Sequence, residues 1–290
     1  MKRGIITVIG VLSLSIGNIL AQSFPVHSIN IDKYQVLDSA YLKCTYRLTS
    51  VKDTSNAEQK KSGLIDIQTL QIGKVTSKYF SQVLQDFYTK VQKSRKKGDT
   101  LGRSYVQDGI FEYQIFKNQI ENKTTVLDCG SHLGIGTAPT PNFRYEDDLS
   151  DMKWEIKKDT ATILSYSCQK AVTEFRGRTW EAWFTSEIPI NNGPWKFGGL
   201  PGLIMKVSDS QQYFVFECTG IENLKEREPI KFYDLKYADI TRKNLDKLYR
   251  RLYNDRIAYN LTNGIYQLDD SGHKLPHSCE KDPYNPMELK

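Results

Sequence analysis

Two arginines and two tryptophans crowd into "EFRGRTWEAWFT" (Glu174–Thr185). If that run is one strand, its alternating faces divide the chemistry. One carries Glu174, Arg176, Arg178, Trp180, Ala182 and Phe184. The other carries Phe175, Gly177, Thr179, Glu181, Trp183 and Thr185. A guanidinium beside aromatic surface can grip a carboxylate or phosphate. The same arginines also suit a structural pair with Glu174, Glu181 or Glu187, which satisfies charge inside a fold. Trp195 follows closely, then Pro201 and Gly202. Trp180, Trp183, Trp195, Arg176, Arg178, Pro201 and Gly202 are therefore the candidate ligand-binding residues.

Other reactive residue types are sparse. His273, His277 and Cys279 are donor types that suit zinc or copper, but Pro276 interrupts the helix that would align them. Cys129 and His132 sit in the Gly-rich "DCGSHLGIG", where adjacency alone does not make a nucleophile pair. The chain has no G-x-S-x-G, H-E-x-x-H, P-loop or C-x-x-C motif. No catalytic set, metal site or cofactor is indicated. The basic run "KVQKSRKK" reads as a solvated helix end, and nothing points to nucleic acid.

Short runs of Tyr, Phe, Thr, Ile and Val must position these residues. "YLKCTYRLTSV" (Tyr41–Val51) alternates, with Leu42, Cys44, Tyr46 and Leu48 on one face. Gly63–Gly73, Gly109–Asn118, Met152–Phe175, Arg178–Ile188, Leu203–Asp209 and Gln212–Ile221 continue the pattern. Residues 80–93 place Phe80, Val83, Leu84, Phe87 and Val91 at helical spacing. Residues 241–258 do so with Leu245, Leu248, Tyr249 and Leu252, and Thr241 is a natural N-cap. The expected fold is α+β and mostly β: a curved antiparallel sheet or partly open barrel with one or two helices packed against it. One domain over residues 22–290 is expected, with 268–290 a loosely ordered tail.

The stretch "GPWKFGGLPGLIMKV" (Gly193–Val207) holds four glycines and two prolines. Leu200-Pro201-Gly202-Leu203 fits a type II turn, with positive φ at Gly202. Leu203, Ile204 and Met205 then suggest a strand covered on both faces. A sheet corner packed by tryptophans explains the cluster; so does a pocket mouth. "EAWFTSEIPINNGPWKFGGLPGLI" and the upstream "WEIKKDTATILSYSCQKAVTEFRGRTWEAWF" closely resemble the GLPGLI family of exported Gram-negative proteins. That resemblance spans about Trp154–Asp209. It implies export and a mostly β fold, and no reaction.

Lys2 and Arg3 precede an uncharged run to Leu20, and Ala21 precedes Gln22, which reads as a signal peptide over residues 1–21. Its removal takes the formal net charge from +6 to +4, since it carries only Lys2 and Arg3. Export to the periplasm or cell surface is expected, with no membrane span after cleavage. The cysteine count is odd: Cys44, Cys129, Cys168, Cys218 and Cys279. A pair among those in strand-like runs is possible in an exported chain. The functional expectation is a non-enzymatic envelope binding protein holding an apolar or amphipathic ligand. The alternative is a docking module for an envelope protein through the Gly-Pro loop, and an exported hydrolase ranks last.

Overall fold

The computed structural model describes residues 6–9, 31–98, 110–128, 142–255, 258, 265–268, 281 and 283–290. In chain order the elements are β1 (Ile6–Ile9), β2 (Tyr34–Ser50), α1 (Ala57–Ser62), β3 (Leu64–Ile72), β4 (Thr76–Ser81) and α2 (Gln82–Lys97). There follow β5 (Tyr113–Asn118), β6 (Lys123–Asp128), β7 (Asn142–Asp147), β8 (Glu155–Ile163), β9 (Tyr166–Phe175), β10 (Arg178–Thr185) and β11 (Leu203–Asp209). The last are β12 (Phe214–Tyr233), β13 (Tyr237–Asp239), α3 (Arg242–Asn254) and β14 (Ile265–Leu268).

β1 and β14 form a separate antiparallel ribbon. The other strands make one sheet in the order β13-β7-β6-β5-β4-β3-β2-β12-β11-β10-β9-β8. All its pairings are antiparallel except the short edge contact of β13 with β7. The sheet is open, because β13 and β8 stay at its two edges. It is also strongly curled. β7 and β9 stand nine places apart in the order, which in a flat sheet is roughly 40 Å at about 4.8 Å per strand. Yet Asp147 at the end of β7 lies 3.2 Å from Arg176, just after β9. The expected mostly-β, partly open architecture is the one found.

Alternation accounts for the strands. On β2, Leu42, Cys44, Tyr46 and Leu48 all point into the core. β3 turns Asp66, Gln68, Leu70 and Ile72 inward. Asp66 is fully buried and accepts from Gln68 Nε2 and Ser81 Oγ at 2.8 Å, and from the Phe111 amide at 3.2 Å. Burial raises its pKa against those hydrogen bonds.

The run Met152–Thr185 is broken twice. Leu164 and Ser165 (φ 48° and 69°) join β8 to β9, and Arg176 and Gly177 (φ 52° and 84°) join β9 to β10. Two positive φ values at the centre of a two-residue loop match the twist of the flanking strands. The single strand expected over Glu174–Thr185 is therefore a hairpin, and its faces reset at the turn. Phe175 and Trp180 are both buried as a result.

The helix expected from residue 80 begins at Gln82, because Phe80 belongs to β4. It lays Leu84, Tyr88 and Val91 inward, while Val83 stays exposed. Its basic end is solvated, with Lys96 paired to Asp32 at 2.9 Å. In α3, Thr241 caps the helix by accepting from the Asn244 amide, and Leu245 and Leu252 are buried. Cys44, Cys168 and Cys218 are buried free thiols, so the pair considered among them is not formed. Burial pushes the Cys218 thiol up to about 12, which leaves it unreactive at neutral pH. Cys129 and Cys279 lie outside the described residues. So does the proposed signal peptide, apart from Ile6–Ile9. No helix among the described residues is long and apolar enough to cross a membrane.

Candidate functional site

The loop between β10 and β11 is the site's scaffold. Leu203, Ile204 and Met205 are fully buried, as their succession suggests. Gly202 differs from the expected turn. Its φ is not positive, and its amide donates to Leu200 O at 2.8 Å, a tighter three-residue turn. Glycine is required there by contact: a Cβ would stand 2.0 Å from Thr185 O. The left-handed glycine is Gly199, at φ 85°, packed on the Trp154 indole. Trp154 Nε1 donates to Gly198 O at 2.7 Å.

Beneath this loop lies an aromatic core. Trp180, Trp195 and Phe197 contact one another with centroids 4.8 to 6.0 Å apart, and Phe175, Phe214 and Phe216 extend the cluster. Trp195 has φ 48°, a conformation that costs a bulky residue on the order of 1–3 kcal/mol. Trp195 also lines a cavity of about 240 Å³. The volume falls just below the range usual for small-ligand pockets. Phe111, Tyr113, Tyr145, Phe214, Tyr249, Tyr253 and Tyr284 give it aromatic walls. Glu112, Asp128, Asp246 and Glu288 add carboxylates, and Lys196 and Arg242 add positive charge.

Several of these groups are fixed by one another. Tyr249 Oη lies 2.7 and 2.8 Å from the two Asp128 oxygens. Burial and the neighbouring carboxylate raise the phenol's pKa well above the usual value, so it stays a donor. Lys196 is buried, and its ammonium donates to Asp147 Oδ2 at 2.6 Å, Glu288 Oε1 at 2.7 Å and Tyr145 Oη at 3.1 Å. Burial alone would lower its pKa, but the surrounding phenol and carboxylates reverse that and raise it. Burial also raises the Tyr145 phenol to about 12, opposed by Lys196.

Of the seven candidate residues, Trp195 reaches this cavity. Trp180 is buried in the layer behind it. Trp183 is half-buried, with Nε1 donating to Glu181 at 3.1 Å. Pro201 is exposed at the turn, and Gly202 is packed on Thr185. Both arginines are in structural ion pairs, but with aspartates. Arg178 pairs with Asp209 at 3.0 Å and Arg176 with Asp147 at 3.2 Å. The glutamates considered for them are engaged otherwise: Glu181 with Lys170 at 2.6 Å, Glu174 with Thr179, and Glu187 with the Ser167 amide at 2.7 Å.

Sequence reasoning missed Glu112, Asp128, Tyr249 and Tyr284. The helical spacing that marked Tyr249 was a packing signal only. No group of residues among those described could hold a metal ion. His132, His273, His277 and Cys279 lie outside the described residues.

Comparison with known proteins changes the family reading. A model of the "N-glycanase peptide, N-terminal domain" family matches residues 144–251, less than half of the chain. That span contains the Trp154–Asp209 stretch on which the GLPGLI resemblance rested, so the GLPGLI assignment is corrected. No curated protein matches. Solved structures of PNGF-II in the P21 and C2 space groups are similar at 15% and 14% identity, with TM-scores of 0.47 and 0.48. They are covered over 74% and 73% of this chain. The chain spans about a third of their length, 34% and 33%.

The non-enzymatic binder and the docking module fall with the GLPGLI reading, because the matched family is a domain of an enzyme.

Proposed function

We propose that this chain is a domain of the N-glycanase kind, and that its aromatic cavity holds part of an N-linked glycan for removal. The observation that carries the reading is where the family match falls. Residues 144–251 supply Tyr145, Trp195, Lys196, Phe214, Arg242, Asp246 and Tyr249 to the cavity wall. Sugar rings present apolar C–H faces and a rim of hydroxyls. Aromatic side chains match the first, and carboxylates with a guanidinium match the second. A cavity of about 240 Å³ suits one ring-sized group better than an extended chain.

Hydrolysis needs groups that move a proton beside the breaking bond. Asp128, held by Tyr249, and Glu112 are the carboxylates that support this role. The charged-then-apolar stretch at residues 1–21 supports action beyond the inner membrane, in the periplasm or at the cell surface.

The test is mass spectrometry of an N-glycopeptide incubated with the full chain. Release of the oligosaccharide is expected, falling on the order of 100-fold in Asp128→Asn. Absence of both release and glycopeptide binding would overturn the proposal.

A further inference from the structure

Within the segment Pro283–Lys290, residues Pro283–Glu288 form one side of the cavity, and the segment is held in the manner of a bound peptide. It belongs to no strand or helix. Of its residues only Met287 is buried. Side chains hold its backbone instead. Arg178 Nε donates to the carbonyls of Pro286 and Met287 at 3.2 and 3.1 Å, and Nη2 donates to Pro286 O at 2.7 Å. Farther along, the Leu289 amide donates to Arg176 O at 2.7 Å.

The Asn285 carboxamide is read at both ends. Its Oδ1 accepts from Arg178 Nη2 at 2.5 Å, and its Nδ2 donates to Val51 O at 2.6 Å. Tyr284 stacks on Tyr253 with centroids 4.6 Å apart.

The anchoring arginine is independent of the segment. Asp209, itself buried, holds Arg178 Nη1 at 3.0 Å, and Arg178 lies over the Phe214 ring. With Nη1 on Asp209, the Nε and Nη2 donors are left to meet acceptors on whatever lies in the groove. A segment that merely completed a core would bury apolar side chains. This one is held through its backbone, the Asn285 carboxamide, one apolar anchor and the Glu288 carboxylate. That carboxylate meets Lys196 at 2.7 Å and Arg242 at 3.6 Å, and Arg242 also donates to Lys290 O at 2.7 Å. The mixture is the recognition pattern of a peptide ligand.

We infer that the groove beside the cavity, formed by Arg178, Val51 and Tyr253, is a polypeptide subsite. It takes an extended segment that presents an asparagine carboxamide, and Pro283–Lys290 occupies it in cis. That the incoming polypeptide carries a glycan on its asparagine rests on the function proposed above; the groove itself does not.

The test uses the full chain with a protease site inserted after Lys281, which is exposed. After cleavage, a fluorescein-labelled PYNPMELK peptide should exchange into the groove, read by anisotropy. The same peptide carrying Asn285→Ala should bind at least about tenfold more weakly. Free oligosaccharide should not compete with the labelled peptide. If the cleaved segment never exchanges, if its loss unfolds the chain, or if the Asn285→Ala peptide binds equally, the subsite is overturned. Peptide exchange without any glycan binding would sink the proposed function and leave the groove standing.

Discussion

Two lysines hold the same loop by opposite means. Lys196 projects from it, and its ammonium is met by Asp147 and Glu288 at 2.6 and 2.7 Å. Lys117 reaches it from β5, and its ammonium meets neutral oxygens: Asn192 Oδ1 at 3.1 Å, Gly193 O at 3.0 Å and Phe197 O at 2.5 Å. Each has three acceptors, since Tyr145 completes the first set. They differ in formal charge. Carboxylates offset the cost of removing a cation from water, whereas carbonyl dipoles offset less of it. Lys196 is therefore raised above the usual lysine range, while burial pulls Lys117 down to about 7. One clamp keeps its charge at neutral pH, and the other titrates near it.

The largest effect should come from breaking the charged clamp. Lys196→Met leaves buried Asp147 and half-buried Glu288 without their central cation. Arg176 and Arg242 remain within 4.0 Å of Asp147, which limits the loss to about 3–5 kcal/mol. Urea denaturation of the variant and parent chains measures it. Lys117→Met should cost less, about 1–3 kcal/mol, because what it strands is neutral. A loss equal to that of Lys196→Met would erase the distinction between the clamps.

Their pH behaviour sharpens the contrast. Lys117 has its folded pKa near 7 and an unfolded value near 10.4. Between those values the unfolded chain binds more protons, so this group makes stability rise with pH. Lys196 has the opposite sign: its stabilisation is complete below the unfolded value and is lost only above it, as pH rises through the raised folded pKa. Melts at pH 7 and pH 9.5 should therefore show a rise that Lys117→Met removes and Lys196→Met keeps.

The smallest effect is expected at the loop's third tether. Trp154→Phe deletes the hydrogen bond to Gly198 O but keeps most of the packing. About 1 kcal/mol is expected in the same denaturation assay. A loss matching that of Lys117→Met would place the indole among the loop's main supports.

How much of this could be read in advance depends on how local each cause is. The inward face of β2, the Thr241 cap and the buried Leu203–Met205 run follow from neighbours in sequence, and all three are visible there. The break between Phe175 and Arg178 also shows, since the strand-like runs stop and restart there, but the single alternation drawn through Glu174–Thr185 crosses it, and Arg is not a residue that announces the left-handed turn at Arg176–Gly177. Burial of Arg178 beside tryptophans was legible, but its partner was not. Asp209 comes from β11, brought alongside by the sheet. The cavity is the extreme case. Glu112, Asp128, Trp195, Tyr249 and Tyr284 come from five separate stretches, and no spacing rule joins them. The glycines and prolines that seemed a family signature serve the loop: Gly202 is packed on Thr185 and Gly199 takes the left-handed turn.

β8 is one of the two margins of the open sheet, and margins offer unpaired amides and carbonyls to other molecules. Its pairing slips between Ile156 and Thr160, and Lys157, Lys158 and Asp159 occupy the slip. β13, at the opposite margin, is only three residues long. A kinked, charged border and a stub are poor templates for a passing strand. The chain thus keeps a sheet that never closes without inviting its neighbours to extend it, and it should stay dispersed at concentrations where a flat, apolar border would seed fibres.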